Sequence, residues 1–266
     1  MSRFSKLETG DQSSPKLPAK GARPAQPESA GPIYDHGYYL AEADRLFAEG
    51  NPEQALRVYS RAVQADHAQV EPWVGQVLCL LLMGQYKEAL VWVKRALELF
   101  PEDPRVISLQ GATYAHQGMV QRGIASSDYA MQKTAGDALV WVLRGEVLSV
   151  ADNANARFCF DKAMETRLHG DWKVPMLIGR LLHRRRKWAQ AADYLATAAA
   201  EQPRNDTLWV LLGEAREKLG NTDGALAAFR TAAEVNPSNQ RALDGSARLA
   251  HTPLLLRLAR RLMGGR

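Results

Sequence analysis

Six histidines, two cysteines and several spaced carboxylates are the residues of this 266-residue chain that could do chemistry. Zinc needs three or four His, Cys or carboxylate ligands at close spacing. His36, His67, His116, His169, His183 and His251 are scattered, and none pairs with another at ligand spacing. Cys79 and Cys159 fall inside apolar stretches, so they read as buried free thiols of a reducing compartment, not as ligands or a disulfide framework. Glu214 and Glu217 lie one helical turn apart, where solvated charge is the default. No nucleophile elbow, phosphate-binding glycine loop or zinc motif occurs. The sequence predicts a protein that is not an enzyme and carries no cofactor and no metal.

Two basic segments remain. "HRRRKW", His183–Trp188, is the densest cationic run and reads as the solvated end of a helix, where cations suit the negative pole of the dipole. The other is the C-terminal stretch. From Ser238 onward six arginines face one acid, which accounts for the whole net charge of +5. The rest of the chain is balanced, so no nucleic acid is expected as a partner.

The elements that must position these residues announce themselves by repetition. Stepping by 34 residues from Gly213 meets Gly179, Gly145, Gly111, Val77 and Ala43 backward and Ala247 forward. A second small column runs Ala55, Ala89, Gly123, Ala156, Ala191 and Ala225, with Ala156 one residue early. Trp73, Trp141 and Trp209 keep the same phase, as do Pro101, Pro203 and Pro237. Each unit reads as two helices joined by a short turn. The small columns let helices approach closely, aromatic residues fill the space between, and stacking buries the face that one hairpin cannot bury alone.

This pattern resembles the tetratricopeptide repeat family, over residues 36–250 as six repeats and a following helix. The resemblance implies an all-α solenoid, a right-handed superhelix of antiparallel helix pairs. Gly123 and Ser127, where larger residues are usual, put the rigidity of the third repeat in doubt. The expected organisation is a disordered Pro/Ser/Lys-rich segment over residues 1–34, the array over 35–250, and a basic amphipathic helix over 251–266.

Function in this family lies in the displayed surface, usually a concave face lined by the first helix of each pair. By that resemblance the lining is Leu40, Asp44, Val74, Leu78, Leu81, Val142, Glu146, Arg180, His183, Glu214 and Glu217. Its first half is apolar and its second half charged, so the expected partner is a protein or peptide segment with apolar anchors at one end and mixed charge at the other. The lysine–asparagine–arginine clamp that some relatives use for chaperone tails is not matched, since Leu40, Asp44, Gly75, Arg105 and Leu109 stand at the corresponding places. The expectation is a cytoplasmic scaffold or adaptor. The alternative is a chaperone or peripheral membrane component of a bacterial secretion or assembly system, attached by the tail. A signal sequence and lipid-bearing cysteine like those of pilus-assembly lipoproteins are not seen.

In the tail, Thr252 and Pro253 suit a helix start, Leu255, Leu258 and Leu262 share a face, and Arg257 and Arg261 lie off it. Such a helix serves as a lid on the array, a docking element or a membrane-surface contact, and self-association through the ends is a further expectation.

Overall fold

In the computed structural model the chain divides into a unit over Met1–Ile33 and a unit over Tyr34–Arg266. The described residues, 35–250, lie in the second. The expected disordered segment, and the tail with Leu255, Arg257, Leu258, Arg261 and Leu262, lie outside the described residues.

The described residues form thirteen α-helices and no strand. Six pairs follow one another: α1 (His36–Ala48) with α2 (Pro52–Ala65), α3 (Glu71–Met83) with α4 (Tyr86–Leu99), and α5 (Pro104–His116) with α6 (Val120–Lys133). Then come α7 (Ala138–Val150) with α8 (Ala156–Thr166), α9 (Lys173–Arg184) with α10 (Trp188–Glu201), and α11 (Asp206–Lys218) with α12 (Thr222–Val235). A last helix, α13 (Gln240–Ala250), packs on α12 and α11. None of these helices is long and apolar enough to cross a membrane.

Three columns explain why the elements start and stop where they do. Asp35, Asp103, Asp137, Asp171, Asn205 and Asn239 each accept a hydrogen bond from a backbone N–H in the first turn of the following helix. These side chains satisfy amides that a helix N-terminus leaves unpaired. The tryptophan column ties the same corner: Trp73, Trp141 and Trp209 donate from Nε1 to the carbonyls of His67, Ala135 and Pro203 at 3.1, 2.8 and 2.9 Å. Between the helices of a pair, Gly50, Gly84, Gly118 and Gly220 take positive φ, and Asp152 and Arg186 hold the same column at φ 51° and 59°. The left-handed turn therefore belongs to the repeat even where glycine is absent.

Small residues bring the helices together. A methyl group on Gly145 would stand 2.4 Å from the Phe160 ring, and one on Gly179 would stand 2.6 Å from Leu195. In the third repeat a Cβ on Gly111 would lie 2.9 Å from the Gly123 carbonyl oxygen, and one on Gly123 would lie 2.8 Å from that of Gly111. Gly123 and Ser127, both buried, thus give α5 and α6 backbone contact, a tighter pair and not the looser one their small size suggested.

Candidate functional site

The first helices of the pairs do not leave an open trough. α3 meets α9 across the interior, and the C-terminal end of α1 is reached by side chains from α9 and the start of α11. A helix ends with unpaired carbonyls and a partial negative charge, and here distant donors satisfy them. Arg180 donates to the Phe47 carbonyl at 2.9 Å, Asn205 Nδ2 to that of Ala48 at 3.1 Å, and Thr207 to that of Glu49 at 2.7 Å. Arg184 donates to the Leu81 and Leu82 carbonyls at the end of α3, at 3.0 and 2.6 Å. Arg185 does the same for Ser149 at the end of α7, at 2.7 Å. Each acceptor lies 36 to 158 residues from its donor.

Arg184 and Arg185, from the run expected to be a solvated turn, therefore staple the ends of α3 and α7, and Arg180, one turn earlier, staples the end of α1. Arg180 also lies over the Phe47 ring, 5.3 Å from its centroid, and Arg184 over the Tyr86 ring, at 5.2 Å. Burial pushes the Arg180 guanidinium down to about 10, so it stays charged at neutral pH. Tyr86 stacks on His116 with centroids 4.3 Å apart, and His116 Nε2 is 2.7 Å from Glu146 Oε1.

This closure revises the expected lining. Val74, Leu78, Leu81, Val142 and Glu146 are buried, Glu146 to 1% exposure, because the first helices converge where a trough was expected. Glu146 holds His116 and does not face solvent. Arg180 is spent on α1. His183 lies 3.4 Å from Glu214 and edge-on to Trp188. Glu214 and Glu217 pair with Arg241 and Arg248 of α13, each at 2.7 Å. The charged half of the anticipated groove, read by column as display, is thus engaged with the array itself, in part through Arg241 and Arg248 of α13.

The other half is accessible only at its edge, since Val74, Leu78 and Val142 are 7%, 9% and 0% exposed. Leu40, Asp44, Val74, Leu78 and Val142 come together, with Leu177, around a cavity of about 280 Å³. Its walls are apolar, its floor is Val74, Leu78 and Val142, and Leu40 stands half-buried at its lip. Charged residues rim it. Asp44 accepts from the Tyr59 hydroxyl at 2.7 Å and pairs with Lys173 at 3.2 Å. Arg105 is held by Asp103 at 2.8 Å. Column reading missed Arg105, Asp171 and Lys173 as rim residues; their signal was that Asp171 belongs to the N-cap column and Arg105 and Lys173 lie two residues beyond a member of it, at one end of the first helices.

Both thiols are buried, and burial pushes Cys79 up to about 12 and Cys159 upward as well. No metal-ligand cluster exists among the described residues.

Comparison with known proteins follows the same lines. Sequence profiles described as "Tetratricopeptide repeat" match residues 46–112 and 176–251. A Protein CTR9 homolog of Arabidopsis thaliana is 23% identical over 208 residues, which is 75% of this chain and 18% of that protein. The chain thus spans about a fifth of the length of that curated relative. Among solved structures, the APC/C hetero-tetramer Cut9–Hcn1 matches with a TM-score of 0.48 and 14% identity, over 81% of this chain and 43% of that one. YrrB, a TPR protein with an unusual peptide-binding site, matches at 0.41 and 17%, over 71% and 97%. Pseudomonas aeruginosa pilF matches at 0.40 and 18%, over 80% and 97%. With two profile matches spanning more than half its length and a 34-residue helix-pair phase, this chain belongs to the tetratricopeptide repeat family.

Proposed function

We propose that this chain is a non-enzymatic interaction scaffold that seats bulky apolar side chains of a partner protein in the mouth lined by Leu40, Val74, Leu78 and Val142. Tetratricopeptide repeat proteins generally mediate protein–protein interaction. The observation that carries the reading is the cavity of about 280 Å³, whose half-buried Leu40 edge leads to the buried Val74, Leu78 and Val142. Burying one or two large apolar side chains there contributes about 1.5–3 kcal/mol each. The reading keeps the apolar anchor of the expected partner segment and gives up a continuous groove. Buried free thiols suit a reducing compartment, and the cytoplasm is the place we assign it.

Leu40→Arg tests this, because Leu40 is half-buried at the edge of the core, where an arginine can reach solvent. In affinity purification from native lysate, a partner should be held by the wild type and by Ala227→Arg, an exposed change on α12. The same partner should be lost from Leu40→Arg at unchanged helicity and melting temperature. Retention by Leu40→Arg refutes the mouth.

A further inference from the structure

The mouth continues beyond its rim. Lys173 and Asp44 border the cavity and also border a polar groove of about 910 Å³. This groove lies between the turn after α1 and the segments leading into α11 and α13, where Gln202, Arg204, Asn205 and Arg241 line it.

Its charges are unevenly satisfied. Glu49 accepts from Arg45 at 2.5 Å, and Asp206 Oδ2 accepts from both Asn236 and Asn239 at 2.7 Å. The carboxylates along the groove therefore have their donors. The cations do not all have carboxylates: Arg204 is exposed and makes no ion pair among the described residues. Lys173 has only its solvent-exposed pairing with Asp44, both side chains being about half exposed at 53% and 42%. Arg241 reaches Glu214 with 57% of its side chain in solvent. Exposed pairs of this kind are worth no more than about 1 kcal/mol, so an incoming carboxylate exchanges with them at little cost.

We infer that the groove receives an acidic stretch of the same partner segment whose apolar side chain fills the mouth, a reading that rests on the mouth being the binding site. The partner is then an extended peptide with a bulky apolar residue and, a few residues away, one or two Asp or Glu side chains directed at Arg204 and Lys173. Side-chain amides of Gln202 and Asn205 flank that path and suit an extended backbone, which needs donors and acceptors along its length. Basic segments are disfavoured, because they would meet Arg204 without a free carboxylate to offset it.

The experiment selects random twelve-residue peptides, displayed on phage, against the immobilised full-length chain as wild type, Leu40→Arg and Arg204→Glu. Wild type should enrich peptides that combine a bulky apolar residue with Asp or Glu. Arg204→Glu should keep the apolar preference and lose the acidic one, and a synthetic peptide of the selected consensus should bind it about fivefold more weakly than wild type. Leu40→Arg should select none of these peptides. Two failures are distinguishable. Peptides retained by Leu40→Arg overturn the mouth itself. Peptides lost with Leu40→Arg but lacking acidic residues, or indifferent to Arg204→Glu, overturn the acidic groove and leave the mouth standing. Selection of no peptide by the wild type overturns both.

Discussion

The guanidinium of Arg180 donates to the carbonyl oxygen of Phe47 at 2.9 Å and lies over that residue's ring, although 133 residues separate the two. Phe47 stands in the last turn of the first helix of the array and Arg180 in the ninth helix. With Asn205 and Thr207 on the next two carbonyls, this contact makes the first repeat a neighbour of the fifth and sixth. The interior is consequently core.

Asn205 separates closure from capping. Its Oδ1 accepts from Leu208 N while its Nδ2 donates to Ala48. Asn205→Asp keeps the cap, since Asp serves there about as well as Asn, and replaces the donor by a carboxylate facing a carbonyl. Loss of about 1–3 kcal/mol in urea unfolding is expected. An unchanged midpoint means that the seam adds nothing to stability.

Gly145 weighs helix propensity against packing. Alanine gains about 1 kcal/mol over glycine in a helix interior. Here its methyl would stand 2.4 Å from Phe160, whose ring is 1% exposed and has no room to yield. Overpacking costs about 1–3 kcal/mol, so Gly145→Ala should come out destabilised by up to about 2 kcal/mol. A stabilised variant would mean that α7 and α8 slide apart freely.

Acid should loosen the fourth and fifth repeats. The bidentate hydrogen bonds of Arg167, at 2.6 and 2.7 Å, hold the Glu201 carboxyl below its ordinary value of 4.5. A carboxylate depressed in the folded state contributes stability that is present above the unfolded value and lost as pH falls through the folded one. Between about pH 5 and about pH 3 the wild type should therefore lose more stability than Glu201→Gln. Equal slopes for the two proteins would remove the pair from the account.

Cys79 reports on the interior. It is fully buried and its thiol is pushed up to about 12 by that burial, so in a Cys159→Ala chain it should react with a disulfide reagent at neutral pH only through opening. Arg180→Ala should raise its labelling rate. A native rate equal to that of the urea-unfolded chain would contradict a closed interior.

The helix pairs were legible because their determinants recur at fixed spacing: small residues where helices touch, tryptophans at Trp73, Trp141 and Trp209, and prolines at Pro101, Pro203 and Pro237. The capping column also recurs at 34-residue steps, but the search for small, aromatic and proline columns passed over it, and its acceptor role shows only in the structure, as at Asp103 and Asp137. Closure had no such signal. Arg180, Arg184 and Arg185 carry nothing in their spacing that names Phe47, Leu81 or Ser149 as acceptors, because the contact depends on how twist accumulates over several repeats. For the same reason Glu146 and Val142 occupied positions of display by column and positions of core by geometry.

Closure is tested most directly by a disulfide between Gly50→Cys and Thr207→Cys. A Cβ built on Gly50 stands 3.6 Å from that of Thr207, within the roughly 3.5–4.5 Å that a disulfide spans. Backbone strain from Gly50's φ of +81° costs about 1–2 kcal/mol, while cross-linking so long a loop contributes up to about 5 kcal/mol. In a chain whose own cysteines are replaced by alanine, the account predicts complete intramolecular oxidation under native conditions and a raised unfolding midpoint that falls back on reduction. Thiols that stay free in the folded protein, or that pair only between molecules, would show that the first and sixth repeats do not meet.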